Sequence, residues 1–340
     1  MTASIPAFFD ERQLAHEPLR ELHNGGWAAY AEKPSRARMI ATGFAELQPA
    51  RDFGLEPLLG VHDAGYVEFL RHAFGEWRAS GRDGDAIGYA WPVVRRRELN
   101  LDRIDARLGR YSFDAATPIS EGTWEASYWS AQTSLTALAA ILDGVARTSF
   151  ALCRPPGHHA GRDYCGGYCY LNNAAIAANQ ARKSGRRVAI LDIDYHHGNG
   201  TQDIFYGDAN LLFVSIHADP ATDYPFFWGR ADERGEGPGE GATLNLPLPR
   251  GTGMCEYENA LDEGLKAIAA HQADLLVVSF GADTFENDPI SHFRLRRDDY
   301  PVIGASIASL DLPVLIVMEG GYAVDALGLN VAAFLSPFGG

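Results

Sequence analysis

The chain has 340 residues, of which 46% are hydrophobic and 21% charged, and this composition excludes a disordered, collagen-like or disulfide-scaffolded protein. Its formal net charge of −15 is opposite to the basic surface that general nucleic-acid binding requires, so we expect no nucleic-acid partner. Four cysteines, no apolar run long enough to span a membrane and no signal-peptide pattern predict a protein of the reducing cytosol, without a membrane partner.

The first half of the chain has a weak periodic pattern. Segments 71–79 and 125–144 are predicted helices, whereas the arginine-rich segment 89–108 is predicted to be a loop or an insertion. No linker, repeat or low-complexity tract divides the chain. We therefore predict a single domain over residues 1–340.

The second half alternates between short apolar runs and helical patterns. Helices are predicted at 172–183, 256–271 and 300–310. Continuous apolar runs of this length are typical of strands that are buried on both faces. The five runs are 149–153, 187–194, 210–217, 274–281 and 313–320. The alternation predicts an α/β fold with a mostly parallel sheet and helices on both faces.

Polar side chains follow these runs, at the edge of the sheet where ligands bind in parallel α/β folds. They are His158, His159, Asp192, Asp194, His196, His217, Asp283 and Tyr322. Buried imidazoles and carboxylates are costly unless they are paired or bound to a metal. We therefore expect these residues to form one site.

Asp194 and His196 have the spacing of metal ligands, because alternate residues of an extended segment face the same way. Asp283 can supply a third ligand from a separate strand end. Two carboxylates and one imidazole suit Zn²⁺, with Fe²⁺ or another divalent ion as the alternative. Three protein ligands leave one position open, which is typical of a catalytic site.

The adjacent His158 and His159 can supply general acid–base chemistry, with Asp192 orienting one of the rings. Tyr322 follows two glycines, whose turn can bring its phenol to the metal as a donor to a developing oxyanion. Cys165 and Cys169 are alternative thiolate ligands, but without a second cysteine pair we predict that they are buried small residues.

Motifs across the chain resemble those of the histone deacetylase superfamily, and most closely its bacterial acetylpolyamine amidohydrolase branch. They include RPPGHHAG, GGYCYLNN, LDIDYHHGNGTQDIFY, GADTFENDP and EGGY, with further similarity in VHDAGYVEFL and ISEGTWEAS. The resemblance implies the arginase–deacetylase α/β fold, with a single sheet of about eight strands. It also implies a bacterial cytoplasmic enzyme with one catalytic Zn²⁺ on Asp194, His196 and Asp283.

The resemblance further implies roles for individual residues. His158 and His159 would be the tandem acid–base pair, with Asp192 orienting His158, and Tyr322 would polarise the amide carbonyl. Structural K⁺ would bind at one site formed by Asp192, Asp194, His196, Ser215 and Ile216, and at a second near Phe205, Asp208 and Leu211. The substrate tunnel would be lined by Gly167, Tyr168 and Tyr224, with Ile290 near its base.

Three features depart from the family pattern. Asn199 stands where many members have an aspartate, so one histidine has a neutral partner, and the division of acid and base roles stays open. Tyr168 and Tyr224 replace the phenylalanines of histone-directed members.

The segment 89–124 resembles an insertion that shapes the tunnel mouth and a dimer interface, which implies a homodimer or higher homo-oligomer. It offers Asp105 as a substrate-binding carboxylate but Ala116 where an acid is expected, with Asp114, Glu121 and Glu125 as alternatives.

The sequence thus predicts a zinc-dependent amidohydrolase that removes acetyl or other acyl groups from small acetylated amines, most of all acetylpolyamines. Acetyl-lysine in proteins and other small amides are alternative substrates. An arginase-like two-metal centre is disfavoured, because the segment from His196 to Asn199 lacks the second carboxylate. A non-enzymatic sensor of acyl ligands is a further alternative, disfavoured because each expected catalytic residue is present.

Overall fold

The computed structural model describes residues 5–92 and 101–339. Within them a seven-stranded sheet forms the centre of the fold, in the order β1-β4-β9-β8-β5-β6-β7, and each neighbouring pair is parallel. The strands are β1 (Ala7–Phe8), β2 (Arg20–His23), β3 (Gly26–Ala29), β4 (Thr148–Ala151), β5 (Val188–Asp192), β6 (Leu211–Ala218), β7 (Thr243–Leu248), β8 (Leu275–Phe280) and β9 (Val314–Met318). Of these, β2 and β3 form a separate antiparallel hairpin. This confirms the α/β class and the mostly parallel sheet.

Helices cover both faces of the sheet, as the sequence predicts. They are α1 (Pro34–Ala41), α2 (Glu56–Leu59), α3 (Ala64–Ala79), α4 (Ile104–Arg110), α5 (Thr123–Leu142), α6 (Asn173–Lys183), α7 (Asn199–Phe205), α8 (Met254–His271), α9 (Tyr300–Ala308) and α10 (Val324–Leu335). Adjacent residues of β5 belong to the hydrophobic cores on opposite faces of the sheet. Leu191 packs with the helices α8, α9 and α10, whereas Ile190 packs with α3, α5 and α6. Successive side chains of a strand point to opposite faces, so a strand covered on both sides must be apolar throughout.

The structure differs from the sequence-based expectations at several elements. The sheet has seven strands within the described residues, one fewer than the resemblance implies. Segment 104–108, predicted as loop, belongs to α4, where Ile104 and Leu108 lie one helical turn apart and are both buried against α3. The helix α3 starts at Ala64, capped by the side chain of Asp63, well before the predicted start at residue 71.

Candidate active site

Four neighbouring strands end at the candidate active site. β4, β9, β8 and β5 are adjacent in the sheet, and their carboxyl ends lead into His158, Tyr322, Asp283 and Asp194. These residues are far apart in sequence, but the sheet order places their segments side by side. The predicted meeting occurs at these four strand ends, whereas His217, on β6, forms its hydrogen bonds with Ser215 and Gly229.

The predicted metal ligands converge. Ligand atoms of Asp194, His196 and Asp283 all lie within 4.8 Å of one another. His196 Nδ1 lies 3.3 Å from Asp194 Oδ1 and 3.1 Å from Asp283 Oδ2. The other oxygen of each carboxylate is held by the backbone, with Gly320 N donating to Asp194 Oδ2 at 2.8 Å and Tyr195 N donating to Asp283 Oδ1 at 2.9 Å. Each aspartate thus has one oxygen facing the imidazole nitrogen, and in Asp194 this oxygen also accepts from His196 N at 2.9 Å.

The surroundings fit a divalent cation. A Cβ atom at Gly281 or Gly320 would overlap the carboxylates of Asp194 and Asp283, so both glycines are needed for the carboxylates to come this close. Burial and the neighbouring Asp194 raise the pKa of Asp283. Two buried carboxylates at this separation repel each other unless a cation compensates them, and a mixed oxygen and nitrogen set suits Zn²⁺.

The two adjacent histidines have different partners and opposite pKa shifts. His158 Nδ1 lies 3.0 Å from Asp192 Oδ2, and although burial lowers its pKa, Asp192 and Asp194 outweigh burial and raise the pKa to about 10. His159 Nδ1 lies 2.7 Å from Asn199 Oδ1, and burial together with the neighbouring His158 lowers its pKa well below the usual value. The two rings therefore have pKa values shifted in opposite directions, and their centroids lie 4.0 Å apart.

Tyr322 is held by contacts on its backbone and its ring. Asp288 Oδ2 accepts from Tyr322 N at 2.6 Å and from Ala323 N at 3.1 Å. The guanidinium of Arg36 lies 4.8 Å from the centre of the Tyr322 ring, and Arg36 Nε also donates to Gly321 O at 2.5 Å. Burial raises the pKa of the Tyr322 hydroxyl, so it stays a neutral donor at physiological pH.

The residues predicted to line a tunnel surround the histidines and Tyr322. The Tyr168 ring packs edge-on against Tyr322 with centroids 5.6 Å apart, and Ile290 packs against the same cluster. The Tyr224 ring lies 5.2 Å from that of His159. Gly167 has φ +54°, and a Cβ atom there would overlap the His159 ring, so the backbone can pass this close only as glycine.

Asp114, one of the alternative acidic residues considered in the sequence analysis, holds two of the residues predicted to line the tunnel. Its Oδ2 accepts from Gly167 N at 2.7 Å and from the Tyr224 hydroxyl at 2.8 Å. Ala116 packs against the cluster that contains Tyr168 and Tyr322, so the position where an acid was expected is apolar and lies beside residues predicted to line the tunnel.

Asp105 does not join this group. It is buried and forms ion pairs with Arg82 at 3.1 Å and with Arg103 at 2.6 Å. The expectation that Asp105 binds substrate is therefore not supported by its contacts within this chain, because both arginines already neutralise its carboxylate. Its acidic type and its place in the insertion suggested the role, whereas the basic neighbours at 82 and 103 could have signalled an ion pair.

A carboxylate that the sequence analysis missed contacts Tyr168, a residue predicted to line the tunnel. Glu21, on the hairpin strand β2, is buried and its Oε1 accepts from the Tyr168 hydroxyl at 3.1 Å. Its Oε2 is buried without a hydrogen-bond partner within the described residues. Burial raises the pKa of Glu21 to about 7, despite the hydrogen bond from Tyr168. No motif marks Glu21, since a lone glutamate in a short exposed hairpin is ordinarily a surface residue.

A second buried group lies behind the histidine pair. Glu319 Oε2 accepts from Gly157 N at 2.6 Å and from His158 N at 3.2 Å, and Cys169 lies close by. Glu319 thereby anchors the turn that carries both histidines. Cys165 and Cys169 are buried free thiols, as predicted, and donate to the backbone oxygens of Tyr111 and Gly167.

The residues that the resemblance assigns to K⁺ lie in two places. Asp192 and Ser215 are register partners on β5 and β6, Asp192 lies two residues before the candidate metal ligand Asp194, and Ile216 follows Ser215 on β6. Near the end of α7, Asp208 N donates to Phe205 O at 2.9 Å, and the Asp208 carboxylate is paired with Arg182 at 2.6 Å. At the second place a cation would therefore depend on backbone oxygens more than on the carboxylate.

Comparison with known proteins assigns the family. The histone deacetylase domain model matches residues 30–337, so the chain belongs to the histone deacetylase domain family. It is 50% identical to acetylpolyamine amidohydrolase 2 of Pseudomonas aeruginosa over 342 residues, covering 99% of both chains, and 45% identical to the acetylpolyamine amidohydrolase of Mycoplana ramosa over 345 residues, covering 98% of this chain and 99% of that one. The crystal structure of an acetylpolyamine aminohydrolase from Burkholderia pseudomallei superimposes with a TM-score of 0.94 at 40% identity, covering 99% of both chains. These matches confirm the predicted resemblance to the bacterial acetylpolyamine amidohydrolase branch of the superfamily.

Among the described helices, none combines the length and apolar character needed to cross a membrane.

Proposed function

We propose that this protein is a zinc-dependent amidohydrolase that removes the acetyl group from acetylated polyamines. The observation that carries the proposal is the convergence of Asp194, His196 and Asp283 beside a histidine pair of opposite protonation preference. The high identity to enzymes named acetylpolyamine amidohydrolases, along almost the whole chain, supports the substrate class.

The chain's own residues divide the reaction between them. A zinc ion held by Asp194, His196 and Asp283 would act as a Lewis acid toward the amide carbonyl and make water a better nucleophile. His159, with its lowered pKa, is neutral and can accept a proton from the attacking water. His158, with its raised pKa, can donate a proton to the leaving amine, while Asp192 holds its ring in place. The Tyr322 hydroxyl donates to the developing oxyanion.

The tunnel walls suit an aliphatic chain with a positive charge at its far end. The rings of Tyr168, Tyr224 and Tyr322 provide apolar and aromatic surface for methylene groups and for cations. Glu21 supplies a buried carboxylate whose Oε2 has no partner within the described residues. A carboxylate in this setting gains most from a substrate ammonium group, which would also keep it ionised.

Further parts of the proposal concern ions, assembly and location. We propose K⁺ at the two places described, a single domain over residues 1–340 and a bacterial cytoplasmic location. We also propose a homodimer that uses the insertion 89–124, of which 93–100 lies outside the described residues. Tyr89 and Trp91, 74% and 39% exposed at the edge of that gap, support an interface there. A strict monomer in size-exclusion chromatography with light scattering would contradict the dimer.

The function is tested by comparing substrates that differ in charge and size. The kcat/KM of the zinc-loaded protein is measured on acetylputrescine, acetylcadaverine and acetylspermidine, beside N-butylacetamide and an acetyl-lysine peptide. N-butylacetamide matches acetylputrescine except for the distal amine. We expect the acetylpolyamines to exceed the neutral analogue by about tenfold or more, which corresponds to one compensated buried charge. Preference for the peptide, or for neutral amides, would contradict the substrate class and favour one of the alternative deacylase functions.

A further inference from the structure

A large cavity lies at the edge of the sheet opposite the candidate active site. It has a volume of about 680 Å³ and is lined by Asn179, Arg182, Lys183, Gly185, Arg186, Arg187, Ala209, Asn210 and His271. These residues lie where α6 and α8 end and where β5 and β6 begin. The candidate active site lies at the carboxyl ends of the same strands, so the two sites are separated by the length of the sheet.

The cavity is basic in a strongly acidic protein. Four of its nine lining residues carry a guanidinium or ammonium group, His271 adds an imidazole, and none of the nine is acidic. The whole chain, by contrast, has a formal net charge of −15. A concave surface lined by one sign of charge concentrates ions of the opposite sign, so this place attracts anions.

Two of these cations have carboxylate partners. Arg182 pairs with Asp208 at 2.6 Å, and Lys183 pairs with Glu56 at 2.6 Å. Both residues lie in the last turn of α6, where positive charge also stabilises the negative end of the helix dipole. Arg182 and Lys183 therefore have a structural explanation.

Arg186 and Arg187 have no such explanation. They follow Gly185, beyond the end of α6. Arg187 is exposed, and among the described residues its guanidinium donates to the neutral Gln272 alone, at 3.3 Å, while its backbone N–H donates to Asp274. Within the part of the chain that the structure describes, the half-buried Arg186 side chain has no hydrogen bond or ion pair. Arg186 and Arg187 thus line the cavity with guanidinium groups that form no ion pair with a residue in 5–92 or 101–339.

We propose that this cavity binds a small molecule that carries two or more phosphate groups. The volume is that of a small-molecule site, large enough for a nucleotide. Guanidinium groups bind phosphate oxygens with two parallel hydrogen bonds, and several cations favour a ligand with several negative charges. A singly charged acetate ion would compensate only one of the two guanidinium groups that have no ion pair within the described residues. The acidic surface of the rest of the chain disfavours an extended nucleic acid.

Binding is tested with pyrophosphate and with ATP by isothermal titration calorimetry on the full-length zinc-loaded protein at about 0.15 M salt. The test variant is R186Q combined with R187Q, which removes two charges that have no carboxylate partner and lie far from the candidate active site. The matched control is R38Q, at an exposed arginine of α1. ATP against pyrophosphate separates recognition of a nucleoside from recognition of phosphate alone.

We expect one equivalent of pyrophosphate or ATP to bind the wild type and R38Q equally, and the double variant to bind about tenfold or more weakly. Thermal melts of all three proteins establish that the variants are folded. Equal binding by the double variant would overturn the proposal, since it would place the anion elsewhere, for example on the zinc. Absence of binding to the wild type, or much tighter binding of a single-stranded oligonucleotide than of ATP, would also overturn it.

Discussion

Replacement of Tyr322 by phenylalanine isolates the contribution of one hydroxyl group to catalysis. The surrounding contacts predict that the ring stays in place. Arg36 lies over its face, Tyr168 packs against its edge, and Asp288 holds the backbone N–H. None of these contacts uses the hydroxyl, so we expect the fold and the metal cluster to persist in the variant.

The magnitude follows from the role of a single oxyanion donor in a buried site. Burial raises the pKa of the Tyr322 hydroxyl, so it is protonated at neutral pH and donates without a titration step. Loss of one such donor lowers kcat by about 100- to 1,000-fold, equivalent to about 3–4 kcal/mol in the activation free energy. Because the interaction is made in the transition state, we expect KM to change by much less than kcat.

The assay measures kcat and KM of Tyr322→Phe on acetylputrescine, together with zinc content and thermal stability. Tyr128→Phe is the matched control, because it removes the hydroxyl of a surface tyrosine of α5 that donates to Asp52. The control should retain wild-type turnover. A Tyr322→Phe protein that binds zinc, melts like the wild type and turns over within about threefold of it would refute the oxyanion role.

Three further predictions concern residues around the site and in the core. Asp288→Asn should lower kcat about tenfold at constant zinc content, since the backbone of Tyr322 loses its carboxylate anchor; an unchanged kcat would contradict that positioning role. Glu21→Gln should lower kcat/KM for acetylputrescine about tenfold more than for N-butylacetamide, and an equal effect on both substrates would show that Glu21 does not sense charge. Burial lowers the pKa of His62 to about 4, so below pH 6.5 the unfolded chain takes up a proton that the folded chain excludes. His62 should therefore contribute about 3 kcal/mol to the fall in the free energy of unfolding between pH 6.5 and pH 4, and urea titrations of His62→Gln should lack this part of the pH dependence.

The strands that lead into the candidate site could be predicted because a strand covered by helices on both faces has a recognisable sequence pattern. Buried on both faces, β5, β6, β8 and β9 appear as continuous apolar runs, and the groups that follow them stand out by contrast. Elements without that signal were missed. β1 has two residues, β7 is a half-buried edge strand that contains a proline, and the hairpin of β2 and β3 is mostly exposed.

Residues that act through tertiary contacts were harder to find. Asp288 and Arg36 touch Tyr322 across the fold, and no local spacing relates either of them to it. Glu21 lies in a hairpin whose pattern is that of a surface turn. Asp105 was predicted from the resemblance of its segment to the family's insertion, and in the structure it forms ion pairs with two arginines. A sequence pattern indicates which side chains of one helix or strand are buried and which face they share. The roles of these residues depend instead on contacts between different elements.

The order of the strands in the sheet determines when the candidate active site is completed during folding. β4 lies beside β9 in the sheet, although most of the second half of the chain separates them in sequence. The histidine pair, the candidate metal ligands and Tyr322 therefore come together only when the last strand has joined the sheet. Pairings over such sequence separations form late and slowly, because a long loop must close before they are stabilised. A nascent or truncated chain that lacks β9 would have no complete site, and appearance of turnover during refolding would report completion of the whole fold.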